Sequence, residues 1–218
     1  MHDPTQRRPT AGLIPGCVSS AADAPPVHRI IAPEGDAFGT LLALDIRSDD
    51  EAPILLAAQC AAAEPPERLI VWPAPIARDD LPWMPALRKR FEDRCDRVAE
   101  IAPGSTPTLW PHAACAAGDA PSLATFLRAR PAWRFVFDPL SMLTPDMLAE
   151  APDHLARLFE LLGGHAQSVA VVMGAGRVVG ERVVPVSPEG DDEAAVAELV
   201  ATHVSRWCPP RLPAFTPA

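Results

Sequence analysis

The 218-residue sequence has no tyrosine, a single lysine among 19 basic residues, and only five cysteines. The cysteines lie far apart and form no C-x-x-C pair: Cys17, Cys60, Cys95, Cys115 and Cys208. An odd, scattered set argues against a disulfide framework or a zinc knuckle. We therefore expect reduced thiols and a cytoplasmic protein.

Long apolar runs and a basic charge balance are also missing. No run approaches the ~18 apolar residues of a membrane span, and the polar, proline-broken start MHDPTQRRPT does not resemble a signal peptide. The net charge is −9, which argues against nucleic-acid binding because phosphate contacts need a basic surface. We therefore expect neither a membrane nor a nucleic acid as partner, although a local basic pocket could still hold a phosphorylated small molecule.

Proline marks the two ends of the chain. Residues 1–26 contain five prolines with small residues between them, and residues 209–218 are similar. Proline removes backbone donors, and neither segment shows a helical or strand period. The sequence therefore predicts a mobile arm over 1–26, one domain over 27–208, and a tail over 209–218.

Short apolar runs alternate with helical patterns between these ends. Strands are predicted at Arg29–Ala32, Leu41–Ile46, Arg68–Trp72, Thr106–Trp110, Trp133–Phe137 and Ser168–Met173, with a further run at Val178–Val186. Such alternation is typical of βαβ units in a parallel sheet. Six or seven strands are fewer than the eight of a complete (β/α)₈ barrel, so we expect an α/β fold that is a shortened or incomplete TIM barrel.

Local signals set the ends of several helices. Ser48 and Glu51 have the spacing of a capping box before the first helix. Thr144 and Pro145 suit the N-cap and first position of a later helix, which Pro152 should kink or divide.

Polar residues at predicted strand ends are the candidates for function. Asp138 ends the run WRFVF, and His112 follows the run TPTLW. Parallel α/β folds place their chemistry at these C-terminal ends, but Asp138 could equally cap the turn that Pro139 begins. Arg47 follows a third strand and could hold a phosphate or carboxylate, or form an ordinary ion pair at a helix entry.

The segment MGAGRVVG contains the pattern G-x-G after a strand. A dinucleotide loop needs a helix to open at these glycines. Since β-formers follow instead, the sequence favours a loop or hairpin here.

The order of these blocks resembles the sugar phosphate isomerase/epimerase family of xylose-isomerase-like TIM barrels. RLIVWPAP and ALRKRFEDRCDRVAEIA are similar to a strand and the long helix after it, and TPTLWPH lies where the family has a strand ending in Glu-Asn-His. SLATFLRARPAWRFVFDPLSML resembles a helix followed by a strand ending in Asp-x-x-His. The similarity extends over about three quarters of the chain, from Leu41 to Val204.

The resemblance implies a divalent metal held at the strand ends and a reaction that moves a proton between carbons next to a carbonyl. Asp138 and His112 would be the catalytic and metal-binding residues that survive, and Arg47 and Trp110 would contact a carbohydrate or sugar phosphate. Trp110 and Ser141 stand where the family has a carboxylate and an imidazole ligand.

Two hypotheses follow. In the first, the protein is an isomerase or epimerase, and it binds a divalent metal if the family activity is retained. In the second, it is an inactive relative that has no cofactor and binds a small molecule or a protein. The sequence predicts that no divalent metal is bound tightly, and it leaves oligomerisation open.

Overall fold

A computed structural model describes residues 10–12, 27–31, 37–63, 68–74, 76, 84–172, 176–179, 182–185, 191–210, 212 and 214–217. The first half of the chain contains β1 (Thr10–Gly12), β2 (Val27–Ile31), β3 (Ala37–Leu44), α1 (Ala52–Ala63), β4 (Arg68–Pro73), α2 (Pro85–Ile101) and β5 (Thr106–Leu109). The second half contains α3 (Ala120–Ala129), β6 (Arg134–Phe137), a 3₁₀ helix (Pro145–Glu150), α4 (Ala151–Leu162), β7 (Ser168–Val172), β8 (Gly176–Val179), β9 (Arg182–Pro185), α5 (Asp191–Trp207) and β10 (Ala214–Pro217).

Five consecutive strands, β3 to β7, form an all-parallel sheet in chain order. A helix follows each of the first four and returns the chain to the start of the next strand. The predicted parallel α/β fold is therefore confirmed for these strands. Their C-terminal ends share one edge of the sheet, which we call the rim; Met173, the predicted end of the last strand, lies outside the described residues.

Further strands extend both sides of this parallel unit. β10 and then β1 add in parallel beyond β7, while β2 pairs antiparallel with β3 at the other end. The strand order β1-β10-β7-β6-β5-β4-β3-β2 ends at β1 and β2. Whether these ends approach each other as in a barrel stays a prediction.

The segment after β7 forms a hairpin in place of one long strand. β8 and β9 pair antiparallel in a separate two-stranded sheet, with Val178 opposite Val183. No helix opens at the glycines of MGAGRVVG in the described part of this segment, since β8 begins at Gly176. The preference for a hairpin over a dinucleotide loop is thus confirmed.

Helix ends follow local hydrogen bonding and proline. Asp119 caps α3, because its Oδ1 accepts a 2.8 Å hydrogen bond from the Ser122 N–H. The predicted helix after Thr144 is divided: a 3₁₀ helix begins at Pro145, and α4 begins at Ala151 with Pro152 in its first turn. The predicted capping box before α1 is wrong, since Asp50 Oδ1 accepts from the Ala52 N–H while Glu51 pairs with Arg97.

The core lies between the helices and the sheet. Phe91, Cys95 and Val98 recur at helical spacing and are buried along one face of α2. Gly39 lies where β3 approaches β4 closely, because a Cβ atom there would be 2.7 Å from the carbonyl oxygen of Arg68. The helices and central strands thus bury a continuous apolar layer.

The predicted arm and tail each contain one strand of the sheet, β1 and β10, and Leu212 of the tail is buried. The division into an arm, one domain and a tail stays a prediction. None of the helices in the described part of the chain is long and apolar enough to cross a membrane.

Candidate functional site

The β5–α3 loop, residues 110–119, lies across the rim. The Ala113 N–H donates to the Ser141 carbonyl at 2.7 Å, and the Ile76 N–H donates to the Ala114 carbonyl at 2.9 Å. These bonds tie the loop to the chain that follows β6 on one side and β4 on the other. The centre of the loop is buried: Cys115, Ala116 and Ala117. The loop therefore covers the rim at the ends of β4, β5 and β6.

Gly118 lets this loop fold back on itself. A Cβ atom at this position would lie 2.4 Å from the His112 carbonyl oxygen and 2.8 Å from that of Ala113. Side-chain carbons do not tolerate such distances to rigid backbone atoms, so only glycine fits. The compact loop and the burial of His112 thus depend on a residue without a side chain.

Asp138 follows β6 directly, and only 1% of its surface is exposed. Its Oδ1 accepts from the Ser141 N–H at 3.1 Å, and its Oδ2 accepts from the Ser141 hydroxyl at 2.6 Å and from Trp110 Nε1 at 3.1 Å. An Asp side chain that accepts from a backbone N–H just beyond it is a standard turn device, and Pro139 fixes the bend. The carboxylate therefore holds the turn after β6 and anchors Trp110.

Burial dominates the electrostatics of Asp138. Desolvation raises the pKa of its carboxyl to about 6, although hydrogen bonds from Ser141 and Trp110 act in the opposite direction. A carboxyl with this pKa could exchange a proton near neutral pH.

His112 follows β5 and is fully buried. Its Nε2 lies 2.7 Å from the Pro73 carbonyl oxygen, which can only accept, so the geometry assigns the proton to Nε2. Nδ1 is then an acceptor, and it has no hydrogen-bond partner among the described residues. Desolvation lowers the pKa of the imidazole to about 4, so the ring is neutral at physiological pH.

Two tryptophans connect these polar groups. The His112 ring stacks on Trp72 with a centroid distance of 4.5 Å, and Trp72 meets Trp110 edge to face at 5.9 Å. We call this set the rim cluster: Trp72, Trp110, His112, Asp138 and Ser141. The structure thus brings together three of the four residues that the sequence proposed, all of them buried.

Arg47 lies apart from the rim cluster. It is exposed in the loop after β3, its N–H donates to Asp45 Oδ1 at 2.8 Å, and its carbonyl accepts from Arg90 Nη2 at 2.6 Å. β3 and β6 are separated by β4 and β5, which places Arg47 roughly 14 Å along the sheet from Asp138. Its predicted contact with a substrate stays a prediction, as does that of Trp110.

The rim cluster does not fit the divalent metal that the family resemblance implies. Among the described residues, no group of three or more His, Cys, Asp or Glu side chains could hold an ion. Both oxygens of Asp138 and Nε2 of His112 already make hydrogen bonds within the protein. A hard divalent cation needs several free oxygen or nitrogen ligands, and the Trp110 indole supplies none.

Sequence reasoning missed two features of this site. The partner of His112 is a backbone carbonyl, that of Pro73, for which no side-chain pattern exists. Ser141 was noted only as a missing imidazole, yet its place three residues after Asp138 is a recognisable turn signal.

Comparisons of the chain with family models, with curated proteins and with solved structures found no match. The function is therefore inferred from the fold and from the geometry of the rim cluster.

Proposed function

We propose that this chain is a catalytically inactive relative of the sugar phosphate isomerase/epimerase barrels that acts as a binding module. The sequential order of the five parallel strands supports this relationship, since strands in chain order with helices between them are the arrangement of a TIM barrel. On this proposal, the remaining strands complete a shortened barrel.

The hydrogen bonding of Asp138 carries the functional part of the proposal. A metal-binding or catalytic carboxylate needs at least one oxygen directed at its ion or substrate. Asp138 instead accepts three hydrogen bonds from Ser141 and Trp110 at 1% exposure. Such an arrangement supports a structural role for the one carboxylate that matches the family pattern. A carbohydrate or sugar phosphate is the ligand class that the resemblance implies for the module, in a cytoplasmic setting.

Metal analysis of the purified protein tests this proposal. We expect substoichiometric Mn²⁺, Mg²⁺ and Zn²⁺ in the wild type after dialysis against each ion, and the same content in Asp138→Ala and His112→Ala. Asp153→Ala, at an exposed position of α4, controls for nonspecific binding to carboxylates. Stoichiometric metal in the wild type that is lost in Asp138→Ala would contradict an inactive site.

A second candidate function, proton transfer next to a carbonyl, is favoured by two observations. The pKa of Asp138 is raised to about 6, and His112 Nδ1 is an acceptor without a partner among the described residues. Exchange of substrate hydrogen for solvent deuterium, followed by NMR with a panel of sugar phosphates, would detect such chemistry. Exchange that Asp138→Asn abolishes would favour the enzyme over the binding module.

A further inference from the structure

Arg94 is a buried cation in the middle of α2. Only 9% of its surface is exposed, and its Nη2 donates a 2.9 Å hydrogen bond to the Asp50 carbonyl in the loop between β3 and α1. Its Nε is enclosed and has no hydrogen-bond partner among the described residues. Buried arginines are normally paired, because it is costly to move a charge out of water. The Arg94 guanidinium therefore has a charge and a donor that its described contacts do not use.

The acidic side chains next to Arg94 are bound by other arginines. Asp49 pairs with Arg90 at 3.3 Å, and Glu51 accepts hydrogen bonds from Arg97 at 2.5 Å and 2.9 Å. The hydrogen bond from Arg97 lowers the pKa of Glu51, and the charges of Arg97 and Arg94 add to this effect. Glu51 therefore lies near Arg94, but Arg97 binds its carboxylate. Within the part of the chain that the structure describes, no carboxylate pairs with Arg94.

The N-terminus of α1 lies at the same place. α1 begins at Ala52, two residues after the carbonyl that Arg94 contacts. A helix N-terminus has a partial positive charge and N–H groups without partners inside the helix. Asp50 Oδ1 accepts a 3.0 Å hydrogen bond from the Ala52 N–H, so one of these donors is already used. A buried guanidinium and a positive helix end thus meet where the loop enters α1.

We propose that this junction binds a phosphate group, with Arg94 as its main ligand and the N-terminus of α1 beside it. A guanidinium presents planar N–H donors that match the oxygens of a phosphate. The phosphate would supply the negative charge that Arg94 lacks, whether it is a free ion or part of an ester. The site is separate from the rim cluster and independent of the proposed function, since either an enzyme or a binding module could contain it.

The surrounding charges limit the affinity. The chain has a net charge of −9, and Asp49, Asp50 and Glu51 lie in the same loop, so approaching anions are repelled. Only one buried cation and one helix end oppose this repulsion. We therefore expect a dissociation constant on the order of 1 mM.

Urea unfolding of the full chain in sodium phosphate and in NaCl of the same ionic strength tests the proposal. A ligand that binds only the folded protein lowers the unfolding equilibrium constant, by a factor set by its concentration relative to its dissociation constant. About 10 mM phosphate should therefore lower the unfolding equilibrium constant roughly tenfold relative to NaCl. Glycerol 3-phosphate is the second probe. An equal effect of this ester assigns the site to phosphate esters as well, and an effect of inorganic phosphate alone assigns it to the free ion.

Three variants separate a site at Arg94 from the general stabilisation that phosphate gives by its exclusion from protein surfaces. Arg94→Met keeps an unbranched side chain without the charge and should abolish the difference between phosphate and NaCl. Arg97→Gln releases Glu51, which can then pair with Arg94, and should reduce the difference. Arg128→Met removes an exposed arginine of α3 and should leave the difference unchanged.

Arg94→Lys guards against misfolding of Arg94→Met. It keeps a positive charge but loses the planar set of donors, so the difference between phosphate and NaCl should shrink. Equal unfolding of the wild type in phosphate and in NaCl would overturn the proposal. A phosphate effect that persists undiminished in Arg94→Met, or in Arg94→Lys, would overturn it as well.

Discussion

Trp110 Nε1 donates a 3.1 Å hydrogen bond to Asp138 Oδ2 and thereby links the residues that follow two neighbouring strands, β5 and β6. The family resemblance places a carboxylate ligand at the position of Trp110 and a second one at Asp138. Here the indole N–H uses one oxygen of Asp138 as its acceptor. The residue that the resemblance would make a ligand therefore serves a packing contact between the two strand ends.

Gly118→Ala should destabilise the protein by roughly 2–3 kcal/mol, since overpacking against backbone typically costs ~1–3 kcal/mol. The added methyl group would lie 2.4 Å from the His112 carbonyl oxygen, so the β5–α3 loop must shift. Urea unfolding measures the change. Gly104→Ala is the control, because a methyl group at that position would have nothing within 4 Å among the described residues, and it should change stability by less than about 0.5 kcal/mol. Equal effects of both substitutions would argue against a tight loop.

Gln167→Glu should lower stability by roughly 1–2 kcal/mol, because acceptors that are shielded from water and lose their donor are costly. Gln167 Nε2 donates to three carbonyls that close the turn before β6: those of Leu127, Arg130 and Trp133. A carboxylate cannot donate to any of them. Thermal unfolding compares this variant with Glu160→Gln, the reverse exchange at an exposed position of α4, for which we expect little change. An unchanged melting temperature in Gln167→Glu would show that the three contacts contribute little.

The sequence predicted the parallel unit because its signals are local. Apolar runs bounded by turn residues located β3 to β7. Strand order followed from the general rule that sequential βαβ units lie side by side. The apolar run at Arg29–Ala32 also located β2, but its periodicity does not record that β2 pairs antiparallel with β3. β1 and β10 lie near opposite ends of the chain and pair with each other, a contact that local patterns do not predict.

The candidate site was predicted in position but not in geometry. Strand ends located Asp138, His112 and Trp110, and the structure brings them into one buried cluster. Their burial comes from the β5–α3 loop, whose fold rests on backbone hydrogen bonds and on the absence of a side chain at Gly118. No residue pattern in the loop sequence predicts that the loop covers the rim.

Asp138→Asn should change how stability depends on pH. The pKa of Asp138 is raised to about 6 in the folded protein, above its unfolded value, so the folded state binds the extra proton between about pH 4 and 6. The contribution of Asp138 to the free energy of unfolding of the wild type therefore falls as pH rises through that window, by up to about 3 kcal/mol. Asn cannot titrate, so the stability of the variant relative to the wild type should increase from about pH 4 to about pH 7. Chemical unfolding across this range measures it, and a constant difference would show that Asp138 titrates normally.

His112→Gln should produce the opposite trend, because burial lowers the pKa of His112 to about 4 in the folded protein. In the unfolded chain, the imidazole has its ordinary pKa of about 6.5. Between about pH 6.5 and 4, the unfolded chain therefore binds a proton that the folded protein does not bind. The stability of the wild type falls as pH falls through this range. Gln can still donate to the Pro73 carbonyl but does not titrate.

The stability of His112→Gln relative to the wild type should therefore increase as pH falls from about 7 to about 4, by up to about 3 kcal/mol. Because the two trends oppose each other over nearly the same window, the wild type itself should vary less with pH than either variant. Chemical unfolding of both proteins across this range measures the difference, and a difference that stays constant with pH would show that burial does not hold His112 in its neutral form.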